Sequence, residues 1–233
     1  MIDIIPSPWT HFRTWDYHST NVNPILFLSL SPTDECFVWH ELNIDPKKNT
    51  TKIIAEQIAD TSGDYKFRLD RIDPLANENQ SNTNTTVIQD LNKEFKEFKK
   101  SGFGTGASWE PYDTKYYVTK KGFLRGRDNI KQRLINSSLV KKPFNNKVRD
   151  EHGFEKRIPT LWISSNCRVT LNSIYKWRVE NGKPSQKWSH HCTALEGIMK
   201  EKRFKYQEVF YEDDMDIRRR KYKDRRISTY FKI

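Results

Sequence analysis

The sequence predicts an α/β fold built on a mixed sheet whose first three strands run antiparallel, with helices packed against it. Three features lead there. Three strand-like segments precede the first helical one and are joined by short turns, which suits antiparallel neighbours. A further strand follows that helix, so the sheet mixes hairpin connections with a crossover. The 233 residues also include 7 Trp, 10 Tyr and 13 Phe, enough bulky side chains to bury a core although 30% of residues are charged and mean hydropathy is −0.87.

The elements follow in order. Trp15 to Leu30 reads as a strand, a polar turn over Asp16–Pro24 and a second, apolar strand from Ile25. Ser31-Pro32-Thr33-Asp34 has turn chemistry, and Cys36–Leu42 forms the third strand. Thr50–Asp60 is helical, with Ile53, Ile54, Ile58 and Ala59 at helical spacing, Thr50 or Thr51 as N-cap and Gly63 as terminator. Phe67–Asp73 is a strand that stops at Pro74. Val87–Lys99 is a helix with Ile88, Leu91, Phe95 and Phe98 on one face, and Arg127–Leu139, begun by Gly126 or Asp128, is another. A basic irregular insertion covers Lys141–Ile158. Then come a strand at Leu161–Ile163, a helix at Asn166–Tyr175, a loop or hairpin with Asn181-Gly182 between Trp177 and Trp188, and a last core helix at His190–Lys202. The reading divides the chain into an N-terminal arm (1–14), one folded domain (15–204) and a charged tail (205–233), acidic at Glu212–Asp216 and basic from Arg218.

Charge narrows the partners. Lys and Arg total 41 against 30 acids, a net charge of +11 and a pI near 9.5. Such a surface favours polyanions, nucleic acid first. The apolar runs are only a handful of residues long, too short to cross a membrane, and Met1–Pro6 does not read as a secretory signal. Cys36, Cys167 and Cys192 form neither a CxxC pair nor a disulfide framework, which fits a reducing compartment.

Two acids carry the candidate chemistry. Asp16 follows the first strand and Asp73 ends a later one. Carboxylates at the ends of neighbouring strands are the hard oxygen donors a divalent cation needs, and two cations about 4 Å apart can clamp a phosphodiester. Strand-end capping would use the same residues.

The order of elements is ribonuclease-H-like, and several stretches resemble the C-terminal nuclease domain of tailed-bacteriophage large terminase subunits. They are Trp15-Asp16-Tyr17-His18 with Asn23-Pro24-Ile25-Leu26, Phe37–Leu42, Arg71-Ile72-Asp73-Pro74-Leu75-Ala76 and Gly126–Leu134. Further along come Pro159–Ile163 with Cys167, Ile174–Trp177 and Ser189–Glu196. The likeness runs from about Trp9 to Met199. It implies a metal-dependent DNA endonuclease domain of a viral genome-packaging terminase, with Asp16 and Asp73 as catalytic metal ligands for Mg²⁺ or Mn²⁺. Concatemeric DNA would be cut by divalent-metal-activated water. Double-stranded DNA, a terminase ATPase domain or subunit and the portal are the implied partners, the host cytoplasm is the implied location, and no membrane is involved.

Two departures matter. The family's third metal-binding Asp falls on Thr193, so Glu196, three residues on, is taken as the third carboxylate, with His190 or His191 as a possible nitrogen donor and Glu41 as an auxiliary acid. Thr193 also keeps open a catalytically weakened, nuclease-like DNA-binding or packaging-motor module; a resolvase- or transposase-like enzyme is the third reading. No Gly-x-x-x-x-Gly-Lys-Ser/Thr loop is present, so the chain is expected to be a nuclease part without its own P-loop ATPase. For DNA, Lys115, Lys120, Lys121, Arg125, Arg127 and Lys131, interleaved with Tyr116, Tyr117 and Phe123, are the expected contacts, and Lys141–Arg157 gives a second basic loop.

Overall fold

The computed structural model describes residues 5–80, 84–113, 120–136, 147–149, 155–157, 160–177, 179–180, 183–184 and 188–207. Its centre is the mixed sheet expected from sequence. Strands β1 (Thr10–Trp15), β2 (Asn23–Leu30) and β3 (Cys36–Ile44) are successive antiparallel neighbours, Trp15 facing Ile25 and Ile25 facing Leu42. The turn between β2 and β3 places Asp34 at φ +62, the left-handed region that Asp tolerates. Helix α1 (Thr51–Ser62) is capped by Thr50 and leads to β4 (Phe67–Ile72), which lies parallel to β1.

Helix α2 (Val87–Ser101) begins with a capping box: Thr86 accepts from the Gln89 amide while the Gln89 side chain accepts from the Thr86 amide. Short β5 (Trp109–Pro111) pairs with β4 at one edge. Helix α3 (Lys120–Asn136) and a small hairpin, β6 (Lys147–Arg149) with β7 (Glu155–Arg157), come next, the hairpin falling inside the insertion read as irregular. Strand β8 (Leu161–Ile163) pairs parallel to β3 at the opposite edge. Helix α4 (Arg168–Lys176), the two-residue strands β9 (Val179–Glu180) and β10 (Lys183–Pro184), and helix α5 (Ser189–Met199) complete the described chain. The sheet order is β5-β4-β1-β2-β3-β8.

Side-chain alternation splits the core into two layers. Trp15, Ile25, Phe27 and Ile72 pack against Ile54 and Ile58 of α1 and Leu91 and Phe95 of α2. Phe12, Leu26, Leu28 and Leu69 pack on the other face against Ile130 of α3 and Leu195 and Ile198 of α5.

Two boundaries depart from expectation for physical reasons. Strand β1 starts at Thr10, inside the segment assigned to the N-terminal arm. Its Arg13 is fully buried, so the hydrophobic alternation that would have announced the strand is interrupted by a charge. Helix α3 starts at Lys120, before Gly126. That glycine reads as punctuation, but a Cβ there would lie 2.3 Å from the Glu196 carbonyl oxygen; it is the point at which α3 and α5 touch. Residues 137–139 of the expected helix and 208–233 of the charged tail lie outside the described residues, and no described helix is long and apolar enough to cross a membrane.

Candidate functional site

Strands β1 and β4 run in the same direction side by side, and both end at the same edge of the sheet. Trp15 is registered on Ile72, and the Asp73 amide donates to the Trp15 carbonyl at 2.9 Å. Asp16 and Asp73 therefore follow their strands in register. By the two-residue alternation Asp16 continues the Phe12–Thr14 row and Asp73 the Leu69–Arg71 row, on the α5 side of the sheet. Carboxyl ends of parallel strands are where open α/β sheets place their ligands.

Both acids line one cleft of about 510 Å³, together with Tyr17, His18, Asn21, Leu75, Ser189, His190 and Thr193. Asp16 is 5% exposed. Its Oδ2 lies 2.7 Å from Nδ1 of His190, and a carboxylate can only accept, so Nδ1 carries the proton. The hydrogen bond to Asp16 raises the His190 pKa above its ordinary value, against the opposing effect of burial. His18 stacks edge-on against His190 with ring centroids 5.2 Å apart, and Asn23 bridges the His18 amide and carbonyl to fix the turn that carries it. Asp73 accepts one hydrogen bond, from the Leu75 amide at 2.9 Å, which caps the 3₁₀ turn Pro74–Asn77. Burial pushes its carboxyl above the usual carboxylate range, and the nearby charge of Asp16 pushes the same way. Asp73 has no ion pair among the described residues.

The floor of the cleft is set by α5. Thr14 Oγ1 donates to the Ala194 carbonyl at 2.8 Å and lies 2.7 Å from the Tyr112 hydroxyl, which also reaches the Trp15 carbonyl at 3.1 Å. Tyr112 packs onto Gly197 so closely that a Cβ there would sit 2.3 Å from its ring. Only a glycine lets the helix approach.

The remaining candidates fall elsewhere. The structure does not bring Glu196 to the two aspartates: its carboxylate pairs with Arg127 Nε at 2.7 Å and lines no part of the cleft. Arg127 is correspondingly turned inward, its guanidinium also 5.2 Å from the Trp177 ring, rather than presented to solvent. Thr193, the residue in the expected acid slot, does line the cleft. His191 faces away from it, with Nε2 2.9 Å from Asn43 Oδ1 and 3.8 Å from Glu41, and burial lowers its pKa to about 4. Glu41 caps α4 by accepting the amides of Val169 and Thr170 and the Thr170 hydroxyl. Lys131 is exposed on α3. Lys120, Lys121 and Arg125 belong to the same helix, and Lys115 lies outside the described residues.

Sequence reasoning missed Lys200, at the C-cap of α5. Its charge acts on Asp73, and burial lowers its pKa to about 8 in spite of the surrounding charges of Glu201, Asp73, Glu196 and Asp113. No local pattern distinguishes it from the neighbouring solvent-exposed lysine, Lys202.

The donor set suits a hard divalent cation in kind, since Asp16 and Asp73 are oxygen donors that repel one another. It is short in number: among the described residues no group of three or more His, Cys, Asp or Glu is placed to hold a metal ion.

No protein-family model matches the chain, and no curated protein matches it. Solved structures do match the fold. The large terminase from a thermophilic bacteriophage, in complex with ATP-gamma-S, superposes with a TM-score of 0.53 at 13% identity over 86% of this chain and 42% of that one. The P22 large terminase nuclease domain gives a TM-score of 0.52 at 9% identity, covering 84% of this chain and 83% of that one. This chain thus spans about two fifths of the thermophilic phage protein, and most of the P22 domain. At these identities the likeness is one of fold: a mixed six-stranded sheet, its first strands antiparallel, flanked by helices.

Proposed function

We propose that the chain is a metal-dependent DNA endonuclease domain of a viral genome-packaging terminase, working in the host cytoplasm beside an ATPase domain or subunit and a portal. One observation carries the reading: Asp16 and Asp73 end adjacent parallel strands, line the same cleft, and Asp73 has no cation paired to it among the described residues. The fold neighbours, one of them a terminase nuclease domain, support it.

Asp16 and Asp73 would hold Mg²⁺ or Mn²⁺. When bound, the ion supplies positive charge opposite the charge that develops on the phosphate. The protein's own residues do the rest. His190 fixes the rotamer of Asp16 through Nδ1 and leaves the other carboxylate oxygen for the ion. Thr193 contributes a hydroxyl to the cleft wall where a carboxylate would bind a second ion more firmly. His18 stands beside His190 in the cleft lining.

The test is nicking of supercoiled plasmid with Mg²⁺ or Mn²⁺ against an EDTA control, for the wild type, Asp73→Asn and Thr193→Asp. Activity above the EDTA control is expected, higher with Mn²⁺, which tolerates an irregular donor set. Asp73→Asn should remove it, by about 100-fold or more, and Thr193→Asp should raise it. Equal nicking by the wild type and Asp73→Asn would sink the reading. The missing third acid favours a second reading, a DNA-gripping module that has lost cleavage. It holds if only Thr193→Asp cuts.

A further inference from the structure

A second cleft, of about 800 Å³, lies along the edge of the sheet where β5 covers only the last half of β4. Its acids are already neutralised. Asp70 is locked to the buried Arg13 at 2.6 Å, and Glu110 pairs with Arg71, which also reaches Glu201 at 3.5 Å. Four of its cations are not paired in this way. Arg68 on β4, Lys96 and Lys99 one turn apart on α2, and Arg203 beyond α5 come from three separate elements, and none has an ion pair among the described residues.

Arg68 carries the clearest mark of a missing anion. Its Nη1 is buried with no hydrogen-bond partner among the described residues, and burial, together with the like charge of Arg203, lowers its pKa. Like charges held in one concavity, with a buried donor unmade, cost stability unless a ligand fills the place. Gly104 and Gly106 of the adjoining loop, both with positive φ, line the same cleft.

We propose that this cleft grips the phosphate backbone of the duplex whose other part enters the Asp16–Asp73 site. The inference rests on the nuclease reading above for its partner. The geometry favours nucleic acid over an isolated anion. Arg68 precedes Asp73 by five residues on one strand and its continuation, about 16 Å along the sheet, the axial length of about five base pairs. The two clefts therefore lie within the length of one short duplex, and four cations fit several phosphates in a row better than one.

The test is anisotropy of a labelled duplex in EDTA, titrated from about 50 to about 300 mM KCl, for the wild type, Arg68→Gln/Arg203→Gln and Lys96→Gln/Lys99→Gln. Each pair should lower the slope of log K against log salt by about two, because each lost cation leaves one phosphate's counterions in place. The lysine pair sits on an exposed helix face, so it reads the cleft even if the arginine pair fails to fold in a thermal melt. An unchanged slope in the lysine pair and in any folded arginine pair overturns the proposal. So does a poly-glutamate peptide that binds tightly, loses affinity in the variants and leaves duplex binding untouched, which would make the cleft a peptide site. Because binding is read in EDTA and nicking with the cation, a failure here leaves the cleavage test standing, and a failure of the cleavage test leaves this one standing.

Discussion

Arg13 and Asp70 face each other across β1 and β4, and three residues further along the same two strands come Asp16 and Asp73. The first position holds a buried guanidinium against a buried carboxylate. Arg13 bonds Asp70, Ser62 and the Gly106 carbonyl and stacks over Phe67 at 4.1 Å, while Asp70 takes a second bond from the Ser108 amide. The second position holds two carboxylates and, at ion-pair distance, only the imidazole of His190 among the described residues. A three-residue step carries the strand from one face of the sheet to the other, and the difference in charge balance separates a matched pair from an unmatched one. Where every donor and acceptor is matched, the group is fixed. Where charge is left over, the fold gives up stability.

The comparison breaks most sharply at its buried end. Arg13→Leu should leave Asp70 in the core without its ion-pair partner, at a cost of about 3–5 kcal/mol in chemical denaturation. Asp70→Asn should cost less, because the guanidinium keeps its other partners. An Arg13→Leu protein as stable as the wild type would remove the structural half of the contrast.

A smaller effect separates Asp73 from Glu196. Glu196→Gln keeps a hydrogen-bond acceptor for Arg127 and should change plasmid nicking by no more than about threefold, roughly 0.7 kcal/mol, while loosening the α3–α5 contact. A loss as deep as that expected of Asp73→Asn would return Glu196 to the metal site.

The sign of the Asp73 shift sharpens the unpaired end. Its folded pKa is raised, so the folded state loses stability as pH climbs from the unfolded carboxylate value through the folded one. Asp73→Asn should therefore melt higher than the wild type at pH 7, by about 1–3 °C, and lose the advantage below about pH 4. Divalent cations should raise the melting temperature of the wild type more than that of the variant.

The smallest effect belongs to His190. Its raised pKa means that the stability it contributes is fully present below 6.5 and is lost as pH rises through the folded value. His190→Gln should flatten the melting temperature across that range. Identical pH profiles would mean that His190 does not hold Asp16 in solution.

The sequence by itself determined the local elements and the two strand-end acids. The apolar runs of β2 and β3, the one-faced spacing of Ile88, Leu91, Phe95 and Phe98 in α2, the turn before β3 and the stop at Pro74 depend on near neighbours in the chain, and near neighbours are what a sequence displays. Asp16 and Asp73 could be picked out because a strand end is itself a local feature. Only the tertiary structure decided which charges are spent. Arg13 falls in the segment read as an N-terminal arm, and only Asp70, 57 positions away, makes it a core residue. Glu196 reads as a helix-face acid within reach of a metal until α3 brings Arg127 to it across 69 positions. Gly126 reads as a helix start until the Glu196 carbonyl is found where its Cβ would be. In each case the deciding term is a desolvated contact between distant segments, whose energy depends on burial and geometry that no spacing along the chain encodes.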